Sequence, residues 1–280
     1  MLKKPDWLRI PYYSDQKSSY IIEMLDELKL KTVCVEANCP NRSECFSSKT
    51  ATFMILGTTC TRNCRFCNVN YGIPQTVEND EPSRVASAVK KLDLKYVVIT
   101  SVTRDDLPDG GALHFSCVIK AIREISPETA VEVLIPDLDD IKVILNESPA
   151  VLSHNIETVE SLYSDVRPEA DYHRSLNVIR NVKRLNNKVR AKSGIMLGLG
   201  ESFNEVLATF DDLLEAGCEF LTIGQYLSPS KIHYPVHKYI EPQIFDEYAD
   251  IAYRKGFRFV ASAPFVRSSY HAEKAILASP

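Results

Sequence analysis

The chain has 280 residues, and its 33 Lys+Arg against 37 Asp+Glu leave a net charge of −4, without the basic excess of a dedicated nucleic-acid binder. With 45% hydrophobic and 25% charged residues and only 10 Gly and 15 Pro, the composition excludes a disordered or fibrous chain and allows one large barrel or two ordinary domains. No apolar run reaches the roughly 18 residues of a membrane span, and no apolar signal core follows the first residues, so a cytoplasmic protein without a membrane partner is expected.

Residues 1–50 carry one amphipathic helix near 20–30, with Ile21, Met24, Leu25 and Leu28 on its apolar face, then an irregular stretch holding Cys34, Cys39 and Cys45. From 51 onward, short β-rich runs at 52–57, 96–101, 131–135, 151–156, 191–197, 220–224 and 257–261 alternate with helical patterns. That order makes a parallel sheet or barrel of βα units. Pro82 stands at a first helical position ahead of Val85, Ala88, Val89 and Leu92. Ser202 and Glu205 have the spacing of a capping box before Val206, Leu207, Phe210, Leu213 and Leu214, and Pro242 opens a helix that Gly256 ends. Three segments are expected: an extension at 1–50, a barrel at 51–256, and a C-terminal segment at 257–280 packed on the barrel mouth.

Six of the eight cysteines fall within residues 34–67. In a reducing compartment such clustering points to metal rather than to disulfides. Cys60, Cys64 and Cys67 form a C-x3-C-x2-C loop just past the first β-rich run of the barrel. Three thiolates so close can wrap a 4Fe-4S cube and leave one iron open for chemistry. In parallel βα barrels, reactive groups sit on loops leaving the C-terminal strand ends, as this one does. A zinc site or buried structural cysteines are the alternatives; zinc asks for four ligands in paired spacings, and nothing nearby completes the set.

C-x3-C-x2-C with Phe66 before the last cysteine, after the first strand of a βα barrel, resembles the radical S-adenosylmethionine (SAM) superfamily. That resemblance implies an α/β fold, a partial (β/α)6 TIM-type barrel, with SAM bound through its amino and carboxylate groups to the open iron. One electron then cleaves the sulfonium to methionine and a 5′-deoxyadenosyl radical. Cys34-x4-Cys39-x5-Cys45, Arg104-Asp105-Asp106, His154-Asn155-Ile156-Glu157-Thr158, Gly224-Gln225-Tyr226 and Arg267-Ser268-Ser269-Tyr270 extend the resemblance, over about 5–275, to the branch that inserts two sulfur atoms into a protein-bound octanoyl group. It implies a second, auxiliary 4Fe-4S cluster on Cys34, Cys39 and Cys45, with Ser269 as fourth ligand, consumed as sulfur donor. An alkoxide is a hard ligand on a site that prefers soft thiolates, so its bond is the weakest of the four. Cys117 and Cys218 are the competing fourth ligands; one sits inside a helical pattern and the other just before a strand. The implied partners are octanoylated lipoyl carrier domains, either 2-oxoacid dehydrogenase acyltransferase subunits or the glycine-cleavage H protein. A reducing electron-transfer protein and a carrier that repairs the auxiliary cluster complete the set.

Other positions have two readings. Gly110-Gly111 occupies the place of the superfamily's SAM-binding Gly-Gly turn, but Ala112 stands where that turn has Glu, and a plain turn before a helix explains it equally. His154, Asn155 and Glu157, and Gly198-Leu199-Gly200-Glu201, lie at strand ends where SAM or substrate contacts are expected; a core histidine and a helix cap are the bland readings. Arg180, Lys183, Arg184, Lys188, Arg190 and Lys192 form either a docking strip for an acidic carrier or a solvated helix face. Another sulfur inserter, acting on RNA, protein or dethiobiotin, and a zinc module without catalysis are the rival functions.

Overall fold

The computed structural model describes residues 3–9, 16–47 and 52–277. These divide between two compact units, one drawn from Ile10–Arg62 and Asn68–Leu152, the other from Met1–Arg9, Asn63–Cys67 and Ser153–Pro280. The expected boundary at 50/51 lies outside the described residues.

In the N-terminal unit, helix α1 (Gln16–Glu27) buries Ile21, Met24 and Leu25. It stops earlier than its periodicity suggests, because Lys29 turns left-handed (φ 50°) and the Leu30 N–H closes on the Leu25 carbonyl. Strand β1 (Lys31–Thr32), helix α2 (Val33–Glu36) and helix α3 (Arg42–Ser47) follow, so the stretch read as irregular is partly helical. Strand β2 (Thr52–Ile55) is buried along its whole length, as a parallel strand covered on both faces must be. It ends two residues before the apolar run does, because Leu56 (φ 67°) and Gly57 (φ 90°) turn the chain away. Strands β3 (Thr59–Cys60) and β4 (Asn70–Tyr71) pair in a separate two-stranded ladder. Helix α4 (Glu81–Lys91) starts on Pro82 as expected. Strand β5 (Tyr96–Ser101), helix α5 (Ala112–Ile125), strand β6 (Ala130–Leu134), helix α6 (Lys142–Asn146) and all but the last residue of strand β7 (Val151–Ser153) complete the unit. The strand order is β1-β2-β5-β6-β7. Met54 lies opposite Thr100 and Ile99 opposite Val133 in parallel register, whereas β1 runs antiparallel to β2 at the edge.

In the C-terminal unit, helices α7 (Tyr163–Val166) and α8 (Tyr172–Leu185) precede strand β8 (Arg190–Leu197). Helix α9 (Phe203–Glu215) carries the expected capping box, with Val206, Phe210 and Leu213 buried and Leu207 and Leu214 half-buried. Strand β9 (Phe220–Gln225), helix α10 (Pro242–Lys255), strand β10 (Phe259–Ser262) and helix α11 (Glu273–Leu277) follow. The order β8-β9-β10 is parallel, with Ile195 opposite Ile223 and Leu221 opposite Val260. The last strand starts at Phe259 rather than 257, since the Phe257 N–H is still capping α10 at Ala252. No helix of the described residues is long and apolar enough to cross a membrane.

Candidate active site

Cys60 ends β3, past the C-terminal end of β2. Its Sγ accepts two backbone N–H groups, from Arg62 at 3.4 Å and from Thr103 at 3.3 Å. Such donors suit a sulfur that carries negative charge. The Arg62 side chain is buried and forks onto Asp105 through Nε (2.8 Å) and Nη2 (2.7 Å), while Nη1 pairs with the buried Asp137. The hydrogen bonds to Asp105, then the Asp137 charge, hold the guanidinium above its ordinary pKa against the burial that pulls it down. Thr61 Oγ1 donates to the Thr103 carbonyl, so the 60–62 segment is pinned to the loop leaving β5. Arg62 escaped the sequence reading because its partners lie 43 and 75 residues away.

Of the auxiliary-cluster candidates, the three cysteines sit in the same unit, whereas Ser269 belongs to the C-terminal unit, between β10 and α11. Cys34 is buried on α2, and Cys39 and Cys45 are half-buried, in a turn and on α3. The Cys39 N–H donates to the Cys34 carbonyl (3.1 Å) and the Cys45 N–H to that of Asn41 (2.9 Å). Burial, with the neighbouring Cys39 adding, pushes the Cys34 thiol up to about 11. A metal that binds there must displace that proton, and soft, enclosed thiolates are the donors iron–sulfur clusters use.

Cys64 and Cys67 belong to the C-terminal unit, where the Cys67 N–H donates to the Cys64 carbonyl at 3.0 Å. Segment 230–234 holds this turn: the Tyr234 N–H donates to the Arg65 carbonyl (2.7 Å), and the Arg65 guanidinium lies 5.2 Å from the Tyr234 ring centre. His233 bridges the Ser230 hydroxyl (2.8 Å) and the Cys67 carbonyl (3.0 Å). Phe66 is half-buried against Val166, Leu199, Tyr226 and Tyr234. Among the described residues, no three His, Cys, Asp or Glu are gathered as a site for a single metal ion. A cube spreads its ligands over separate irons, so convergence on one point is not its requirement.

Beyond β7, Asn155 and Glu157 engage each other (Nδ2 to Oε1, 3.0 Å). Glu157 adopts φ 68° and bridges to Ile195 on β8, and burial raises its pKa against the charge of Arg167. His154 is buried, with its N–H on the Lys192 carbonyl. Glu201 accepts the N–H groups of Gly198, Leu199 and Gly200 (2.6, 2.9 and 3.0 Å), closing its turn on itself; burial raises its pKa against those donors. In the N-terminal unit, Gly110 and Gly111 are left-handed (φ 62° and 93°), and a Cβ on them would stand 2.5 Å from Leu138 Cδ2 and 2.3 Å from Leu56 Cδ1. The Gly111 N–H donates to Asp109 Oδ1 and that of Gly110 to the Leu107 carbonyl, so both donors are used within the turn.

The basic strip resolves into different environments. Lys183, Arg190 and Arg258 converge on Glu219 at the N-terminal ends of β8, β9 and β10, and Lys192 is buried. Arg180, Arg184 and Lys188 remain exposed. Cys218 is buried, its thiol pushed up to about 12 by that burial, while Cys117 is exposed on α5.

The family model for the radical SAM superfamily matches residues 54–213, and solved structures repeat the fold. Methylornithine synthase (PylB) superposes with a TM-score of 0.56 at 15% identity, over 78% of this chain and 73% of that one. Streptococcus suis SuiB bound to S-adenosylmethionine gives 0.59 at 11% identity, over 79% of this chain; the match spans about half (53%) of SuiB. The molecule is thus a radical SAM protein, α/β with mostly parallel strands. Proteins named lipoyl synthase match along nearly its whole length: 56% identity with that of Caldicellulosiruptor saccharolyticus, over 97% of both chains, and 50% with that of Alkaliphilus metalliredigens, over 98% and 96%. The chain belongs to the lipoyl synthase family.

Proposed function

We propose that Cys60, Cys64 and Cys67 hold the radical-generating 4Fe-4S cluster and that Cys34, Cys39, Cys45 and Ser269 hold the auxiliary one. The enzyme inserts two sulfur atoms at the sixth and eighth carbons of a protein-bound octanoyl-lysine, giving lipoyl-lysine. The near full-length match to lipoyl synthases at 48–56% identity carries this reading. When bound, SAM and the clusters supply the radicals that remove hydrogen from unactivated carbon and the sulfur that replaces it.

Acid–base groups have nothing to work on in an alkyl chain, so the protein's own residues position and shield. The N–H groups of Arg62 and Thr103 stabilise charge on Cys60, while His233 and Tyr234 fix the turn between Cys64 and Cys67. Phe66, Asn155 and Glu157, with the backbone at Gly110 and Gly111, are assigned to SAM. Segment 1–50 brings the auxiliary cysteines, 51–256 the barrel, and 257–280 the Arg-Ser-Ser-Tyr segment. The substrate is an octanoylated lipoyl carrier domain, an acyltransferase subunit of a 2-oxoacid dehydrogenase or the glycine-cleavage H protein. A reducing electron-transfer protein and a cluster-repair carrier serve it in the cytoplasm.

An anaerobic single turnover with SAM, dithionite and an octanoyl-lysyl peptide tests this. About eight irons per chain are expected beforehand, and mass spectrometry should find two sulfurs added to the peptide. SAM cleavage without sulfur transfer would refute the substrate assignment, and zinc in place of iron would refute the whole reading.

A further inference from the structure

The Arg267-Ser268-Ser269-Tyr270 segment contains two serines, and the function above uses one. Ser268 Oγ donates to Asn155 Oδ1 at 2.7 Å, and the Ser268 carbonyl accepts from Lys192 Nζ at 2.7 Å. Lys192 is 1% exposed, near the start of β8. A buried ammonium has to be hydrogen-bonded, and the Ser268 carbonyl takes one of those bonds, which fixes the peptide just ahead of Ser269.

Two glycines make the contact possible. A Cβ on Gly194 of β8 would stand 2.6 Å from Thr222 Oγ1, 2.9 Å from Asn155 Oδ1 and 3.0 Å from Ser268 Oγ. One on Gly224 of β9 would stand 2.2 Å from the Val266 carbonyl. Both strands therefore lack side chains where segment 266–268 lies against them, and the Gln225 N–H ties its start at the Pro264 carbonyl (3.1 Å).

We infer that Lys192, Asn155 and Gly194 form a socket for Ser268 that presents Ser269 as a ligand, so that the first serine anchors what the second coordinates. This rests on Ser269 being the fourth ligand of the auxiliary cluster. The two serines would then divide the work: Ser269 would supply a ligand oxygen to the cluster, and Ser268, bonded to Asn155 and Lys192, would keep Ser269 in position whether or not a cluster is bound. Lys192 is a positioning residue that need touch neither iron nor substrate, and Asn155, assigned above to SAM, holds Ser268 through its Oδ1.

Hydrogen exchange read by mass spectrometry on the cluster-free protein isolates the anchor. Lys192→Met should speed exchange across 266–270 by about tenfold or more, the effect of losing a charge-assisted hydrogen bond, and Ser268→Ala by about fivefold, the effect of losing a neutral one. Exchange in β9 and α9 should be unchanged, and Lys192→Arg should restore most of the protection. In protein whose Cys60, Cys64 and Cys67 are alanine, Lys192→Met should shift the Mössbauer spectrum of the auxiliary cluster toward that of Ser269→Ala. Unchanged exchange in both variants would overturn the socket. If exchange rises but Ser269→Ala itself leaves the spectrum unaltered, the ligand assignment is wrong, and the presenting role falls with it.

Discussion

The Thr103 N–H points at Cys60 Sγ from 3.3 Å, and the Arg62 N–H joins it from 3.4 Å. Donors aimed at a cluster sulfur favour the more negative, reduced state. Thr103→Pro removes one donor and should lower the midpoint potential of this cluster by on the order of 50 mV, the one-electron equivalent of about 1 kcal/mol. An EPR-monitored redox titration in a background lacking the auxiliary cysteines checks it; an unmoved midpoint would show that this contact does not sense the cluster charge.

Arg62→Met leaves Asp137, whose side chain is 1% exposed, without its guanidinium. Breaking a buried pair from one side costs about 3–5 kcal/mol, so the apo protein should unfold at markedly lower urea. Arg62→Met combined with Asp137→Leu should recover part of the loss, because no charge is then stranded. If the double variant unfolds no later than the single, the pair is not what stabilises the loop.

The cysteine spacings and Arg-Ser-Ser-Tyr were legible because they are short local patterns of fixed residue type and interval, and the same holds for the Ser202–Glu205 cap. What stayed hidden acts across the fold. Nothing near Arg62 announces Asp105 or Asp137, and His233 meets the Cys67 carbonyl from 166 residues away. Apolar runs located the strands but not their ends: Leu56 continues the pattern of β2 in type while its backbone already turns. The basic run around 180–192 looked uniform, since residue type says nothing of Glu219, which engages Lys183 and Arg190.

Glu205 is held at about 2 by the hydroxyls of Ser161 and then Ser202. A folded value below the unfolded one near 4.3 contributes stability that is complete above that pH and fades as pH falls towards 2. Denaturant midpoints between pH 6 and 2.5 should fall less steeply in Glu205→Gln than in the parent. Ser202→Ala should lose about 1 kcal/mol at neutral pH through the missing cap.

Thiol labelling should separate Cys117 from Cys218. Cys117 is exposed and Cys218 is buried, its thiol pushed up to about 12, so thiolate and access are both scarce at the latter. In holo protein, iodoacetamide should modify Cys117 within the native lifetime and reach Cys218 only on unfolding. Rapid native labelling of Cys218 would contradict its place in the core.

Strand β1 is two residues long and runs against the grain of its sheet, pairing Lys31 with Met54 and Thr32 with Phe53. Without it, the outer rim of β2 would offer unpaired amides and carbonyls on an apolar strand, a template for other chains. The segment that bears Cys34 thus doubles as a guard against self-association. Shortening the chain to begin at 48 should yield a protein that loses iron and also accumulates as oligomers or precipitate, whereas triple Cys→Ala variants of the same segment should remain monodisperse.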